Sequence, residues 1–199
     1  MSMIDSAKHD VWRLFVAADL PVEVKGRLEQ IRRDLKSAGW KARWTNPDIA
    51  HLTLKFIGDY PVDSVEKLRS ALSESLRSVR VFEVSTGSPG AFPNVRRPRV
   101  IWLGVEDRFG SLARTSASIE TATRELGIEP EERAFRPHLT IARLRPEDGE
   151  TITEIDARFG EFAREERIPF EVDHLTLYRS ELGGAGTSYS VVERFNLRN

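Results

Sequence analysis

Two histidines in this chain of 199 residues share almost identical surroundings: His51 opens HLTLKF, and His138 sits in RPHLTIAR, 87 positions later. In each, a threonine follows two residues on, as Thr53 and Thr140. An imidazole titrates near pH 6.5 when unperturbed, so one of a pair can be neutral while the other is protonated at the same pH. Two such rings on opposite walls of a groove are the equipment for moving a proton off one reacting atom and onto another.

Repetition is what separates these residues from ordinary strand histidines with hydrogen-bonded threonines. With 4 His and 11 Thr in the chain, composition alone gives about 0.2 His-x-Thr pairs. There are three. The third, His174-Leu175-Thr176 in FEVDHLTLYRS, falls where the first half of the chain has FEVS (82–85) and no histidine. Its face continues through Val172 and Phe170, which predicts a packed or edge histidine with satisfied hydrogen bonds. His9 lies in an N-terminal segment, 1–12, expected to be mobile, and has no assigned role.

The elements that must position the pair follow from periodicity. RLFVAADL (13–20) reads as a strand, and Val24, Leu28, Ile31 and Leu35 mark a helix over 21–38 with Gly39 after its end. A strand over 51–57 comes next. Pro61 then opens a helix striped by Val62, Val65, Leu68, Leu72, Leu76 and Val79, and strands near 80–86 and 99–106 follow. The order repeats with a helix over 109–126, a strand over 137–143, a helix over 151–165, and strands over 170–179 and 188–197. Side chains alternate along a strand. His51, Thr53 and Lys55 are therefore expected on one face and Leu52, Leu54 and Phe56 on the other, with His138 and Thr140 opposed by Leu139 and Ile141.

The repeated order predicts an α+β fold of two pseudo-symmetric lobes, one from each half of the chain. Each lobe would be a small, mostly antiparallel sheet with helices on its outer face, the two lining a central cleft in a single bilobal domain over 13–199.

These motifs resemble the paired His-x-Thr-x motifs of the two-histidine phosphoesterases, specifically the bacterial and archaeal RNA 2',3'-cyclic phosphodiesterases first called 2'-5' RNA ligases. The resemblance extends over nearly the whole chain, through RLFVAADLP, HLTLKFIG, GAFPNVRRPRVIWLGV, FRPHLTIAR and LTLYRSELGGAGTSYSVV. It implies hydrolysis of RNA 2',3'-cyclic phosphate ends to 2'-phosphomonoesters, with reverse 2'-5' RNA ligation as a second capacity. By place in the motif, His51 is the proton donor to the leaving 3' oxygen and His138 the acceptor that activates water.

Thr53 and Thr140 are then expected to hold nonbridging phosphate oxygens. Arg143, whose guanidinium can take two phosphate oxygens, is a further candidate, although strict alternation aims it away from His138. Lys55 is placed with His51 but reads equally as an exposed strand residue. NVRRPR (94–99) and WKARW (40–44) offer bases and aromatics for an RNA strand end, against the reading of a solvated loop and half-buried tryptophans.

Composition narrows the alternatives. There is no cysteine, and 30 basic residues against 31 acidic ones give a net charge of -1, which argues against sequence-blind wrapping of long nucleic acid. No secretory or membrane-spanning segment is evident, so a cytoplasmic monomer acting on RNA ends is expected. No metal or cofactor is expected either, because there is no H-E-x-x-H and no clustered carboxylates. GGAG (183–186) reads as a hairpin turn. Competing readings are the same chemistry on a small cyclic nucleotide, an ADP-ribose cyclic phosphate or a 2'-5' oligonucleotide, and an RNA-end binding module without catalysis.

Overall fold

The computed structural model describes residues 10–95, 97–145, 167–183 and 186–199. Among them the elements run β1 (Val11–Asp19), α1 (Val22–Ser37), β2 (Arg43–Trp44), β3 (His51–Pro61), α2 (Val65–Leu76), β4 (Phe82–Phe92), β5 (Val100–Glu106), α3 (Ser111–Glu125), β6 (His138–Arg143), β7 (Pro169–Val172), β8 (His174–Gly183) and β9 (Gly186–Asn196). The expected helix over 151–165 lies outside the described residues. No described helix is long and apolar enough to cross a membrane.

β1 forms because its run from 14 to 18 is apolar without interruption, and the structure buries both of its faces, as such runs require. It begins at Val11, inside the segment expected to be mobile, with Val11 and Trp12 paired to Pro61 and Tyr60. α1 buries Val24, Leu28, Ile31 and Leu35 on one stripe, and Gly39 at φ 87 lets the chain leave its end. α2 buries Val65, Leu68, Leu72 and Leu76. α3 buries Leu112 and Ile119 and stops before Gly127 at φ 77.

The strands form two antiparallel sheets, one ordered β3-β1-β8-β9 and the other β2-β6-β5-β4-β7. α3 packs on β3 and α2 on α3 and β9, while α1 packs against β6. A single continuous core runs through both sheets and the described helices.

The two lobes are not the two halves of the chain. Each half contributes a strand, a helix and a histidine strand, as β1-α1-β3 and β5-α3-β6. A later strand of each half then joins the other sheet: β4 pairs with β5, and β8 with β1. Each sheet is thus completed by the opposite half of the chain.

The expected strand over 170–179 is two strands in different sheets, β7 beside β4 and β8 beside β1. The apolar alternation changes phase at the break. Phe170 and Val172 are buried in one sheet, Leu175 and Leu177 in the other, so the strand cannot stay in one plane past Asp173 and keep its apolar side chains inside.

Candidate active site

The two histidine strands carry the same irregularity at the same place. In β3, Thr53 pairs with Ala17 but Lys55 with Val16, which leaves Leu54 as an extra residue. In β6, Thr140 pairs with Trp102 but Ala142 with Ile101, which leaves Ile141 extra. A β-bulge of this kind reverses the alternation downstream. The residue five positions after each histidine is therefore returned to the histidine's face: Phe56 in β3 and Arg143 in β6.

This bulge corrects the expectation for Lys55. Instead of facing the cleft with His51, Lys55 is only 4% exposed. Its Nζ donates to the Glu120 carboxylate of α3, 2.9 Å away, and to the Glu129 carbonyl at 2.9 Å. It anchors α3 behind the strand. In β6 the same device turns Arg143 toward the face of His138, with no fraying needed.

His51 lies on an aromatic floor. Its ring stacks on Phe15 with centroids 4.6 Å apart and meets Tyr189 edge-on at 5.1 Å. Its Nδ1–H donates to the Ile49 carbonyl at 3.0 Å. A carbonyl can only accept, so Nδ1 carries the hydrogen and Nε2 is left for chemistry. His138 repeats this arrangement: Nδ1–H donates to the Arg136 carbonyl at 2.7 Å, and the ring meets Phe92 edge-on at 4.9 Å. Trp102 stands 6.1 Å away.

The electrostatic surroundings of the two rings differ. Burial lowers the pKa of both, and each backbone hydrogen bond opposes it. The negative charge of Asp19 also favours protonated His51, whereas the positive charge of Arg143 further disfavours protonated His138. The charged neighbours thus favour a cation at His51 and a neutral ring at His138.

Asp19 is held by three other groups. Burial works against its carboxylate, but hydrogen bonds from the Tyr178 hydroxyl and from His174 Nε2 at 2.8 Å, with Arg194 3.4 Å away, outweigh it and keep the pKa below the usual range. Burial and the bond to Asp19 push Tyr178 up to about 12. His174 also bonds Asp173 through Nδ1 at 2.5 Å. It is the satisfied histidine expected from sequence, half-buried, but on a strand of the catalytic wall rather than in a continuation of Phe170 and Val172.

The walls approach each other. β3 and β6, from different sheets, lie in contact. Tyr189 of β9, raised by burial, feels the charges of Arg143 and Arg43 from the opposite sheet. His51 and Thr53 share one face of β3, and His138, Thr140 and Arg143 share one face of β6. Of the two weaker segments, Trp40 of WKARW is buried and Trp44 is half-buried against the core. Arg97 and Arg99 are exposed.

Asp19, Phe15, Tyr178, Tyr189, Phe92 and Trp102 were not singled out from sequence. Only Asp19 had a readable signal, as the charged residue that ends the apolar run 14–18 of β1. Among the described residues, no group of three or more His, Asp or Glu side chains could hold a metal ion.

Comparison with known proteins matches residues 19–184 to a family model described as the 2'-5' RNA ligase superfamily. A protein of Methanothermobacter thermautotrophicus named RNA 2',3'-cyclic phosphodiesterase is 35% identical over 93% of this chain and 98% of its own. Its namesake from Aquifex aeolicus is 31% identical over 94% and 98%. The crystal structure of E. coli LigT complexed with 3'-AMP superposes with a TM-score of 0.74 over 96% of this chain and 100% of that one. At 23% identity, that likeness speaks to the fold.

Proposed function

This chain belongs to the 2'-5' RNA ligase superfamily, and from that premise we propose that it is an RNA 2',3'-cyclic phosphodiesterase using His51 as general acid and His138 as general base. The observation that carries the reading is the matched pair of imidazoles, each tied through Nδ1 to a carbonyl two residues back. Unequal charges at the two rings give the pair its polarity.

In this mechanism His138 Nε2 takes a proton from water as its oxygen attacks phosphorus in line. The P–O3' bond breaks, and the 3' oxygen leaves with the proton of His51 Nε2. A 2'-phosphomonoester and a free 3' hydroxyl result, with the two histidines left in exchanged protonation states until solvent resets them. In this reading Thr53 and Thr140, each on its histidine's strand face, bind nonbridging oxygens through their hydroxyls, and Arg143 adds a positive charge from farther along β6. With a 5' hydroxyl in place of water, the same forward steps would make a 2'-5' linkage: its oxygen attacks phosphorus and gives its proton to His138, while the 3' oxygen leaves with the proton of His51.

The test is product analysis with an RNA ending in a 2',3'-cyclic phosphate. A 2'-monoester is expected. A 3'-monoester would exchange the leaving oxygen, and a strong preference for ADP-ribose cyclic phosphate or a cyclic mononucleotide would overturn the substrate.

A further inference from the structure

We propose that Arg43 and Arg143 form a second anion site, one that takes the phosphate linking the terminal nucleotide to the rest of the strand and so favours RNA ends over cyclic mononucleotides. The inference rests on the phosphodiesterase reading and adds a determinant of substrate length.

β2 is a strand of two residues, and its ladder with β6 sets Arg43 directly opposite Arg143. Residues so paired share a face with Cβ atoms about 5 Å apart, and like charges there destabilise the ladder. No hydrogen bond or ion pair joins either guanidinium to another described residue. Of the rest of this segment, Trp40 is buried, Ala42 and Trp44 pack on the core, with the Lys36 ammonium 5.8 Å over the Trp44 ring, and Lys41 is exposed outside the ladder. Arg43 points the other way and is exposed.

The bulge in β6 puts Arg143 on the face of His138, so its partner Arg43 shares that face. Both charges act on Tyr189 across the cleft. Thr140 lies three residues before Arg143, about 10 Å along the strand. A guanidinium arm and one nucleotide step together cover that distance, which places the arginine pair one phosphate beyond the reacting one.

The opposite edge of the same sheet has the opposite sign. There Glu83 of β4 pairs directly with Glu171 of β7. Asp19, Glu23, Glu83, Glu171 and Asp173 gather in one concavity beside His174. A polyanion leaving the cleft is repelled at that edge and attracted at the edge formed by β2 and β6. A mononucleotide has no phosphate to place at either.

The experiment compares wild type, Arg43→Ala and Arg43→Lys on a 2',3'-cyclic mononucleotide and on a trinucleotide ending in the same cyclic phosphate, with circular dichroism to verify folding. Arg43→Ala should lose at least tenfold more kcat/KM on the trinucleotide than on the mononucleotide, mainly through KM, and Arg43→Lys should recover part of it. The salt slope of log kcat/KM for the trinucleotide should become shallower by about 0.7, the value for one single-strand phosphate contact. A trinucleotide whose last linkage is a neutral methylphosphonate should make Arg43→Ala no worse than wild type. Equal losses on both cyclic phosphates, or none, overturn the subsite alone. Wild type turning over neither substrate overturns the phosphodiesterase reading and the subsite with it.

Discussion

Asp19 stands directly across the ladder from His51, and in the matching place opposite His138 the chain has Gly104, without a side chain. Phe56 and Arg143 occupy the other unmatched pair of places. Both differences push in one direction, toward a protonated His51 and a neutral His138.

The pH dependence of kcat/KM should report this polarity. Burial pulls both rings below the usual imidazole value, so both limbs of the bell should lie on the acid side of free imidazole, near pH 6.5. Asp19→Asn removes a charge that raises His51. The acid form is then lost at lower pH, and the alkaline limb should move down. Arg143→Gln removes a charge that lowers His138, so protonation of the base begins at higher pH and the acid limb should move up. If Asp19→Asn moved the acid limb instead, the two roles would be exchanged.

Replacing either histidine by alanine should cost roughly 10²-fold or more in turnover, the usual contribution of a positioned acid or base. The double replacement should cost much less than the product of the two, since neither group works alone. Binding of a cyclic-phosphate RNA should remain measurable in each variant. Turnover by wild type should also survive EDTA, since the proposed mechanism draws both proton transfers from the imidazoles.

Lys55 is a stability residue. Glu120→Ala leaves its buried ammonium with the Glu129 carbonyl as its remaining acceptor among the described residues, which should destabilise the fold by about 2–4 kcal/mol; the figure falls below that for a fully buried pair because Glu120 reaches solvent. Lys55→Met, which removes the charge and keeps the volume, should cost far less. Urea unfolding of the two variants gives the comparison. Similar losses in both would show that the alkyl stem, not the charge, is what matters.

Gly90 lies opposite Trp102 in the ladder, and a Cβ there would run into the indole. Gly90→Ala should displace Trp102 beside His138 and lower kcat, with a smaller effect on thermal stability at this cleft-side position. Unchanged kcat would mean the indole yields without disturbing the imidazole.

Most of the fold could be read in the chain because the helices declare themselves by period: each expected stripe within the described helices is buried. The paired histidines and threonines were legible because one pattern recurs at matching places. The bulges were not. Alternation assumes one residue opposite one, and nothing in HLTLKF or HLTIAR marks the residue left over. That single extra residue sent Lys55 inward and Arg143 toward the cleft. The change of sheet at Asp173 did leave a trace, in the parity shift from Phe170 and Val172 to Leu175 and Leu177. Asp19 meets His51 only through strand pairing, which depends on the folded register rather than on neighbours in the chain. In WKARW composition left two readings open, and the structure buries Trp40 and half-buries Trp44 against the core while Lys41 and Arg43 stay exposed.

Because β4 and β8 trade places, neither repeat owns a finished wall. A forerunner carrying one repeat would have needed a twin, each lending its third strand to the other, as in reciprocal domain swapping. In one chain the loan is permanent, and the matching places differ, with aspartate and phenylalanine in one half and glycine and arginine in the other. A cut in the connection between β4 and β5 would call the loan in. The two fragments would have to find each other again before either imidazole had a complete sheet to stand on.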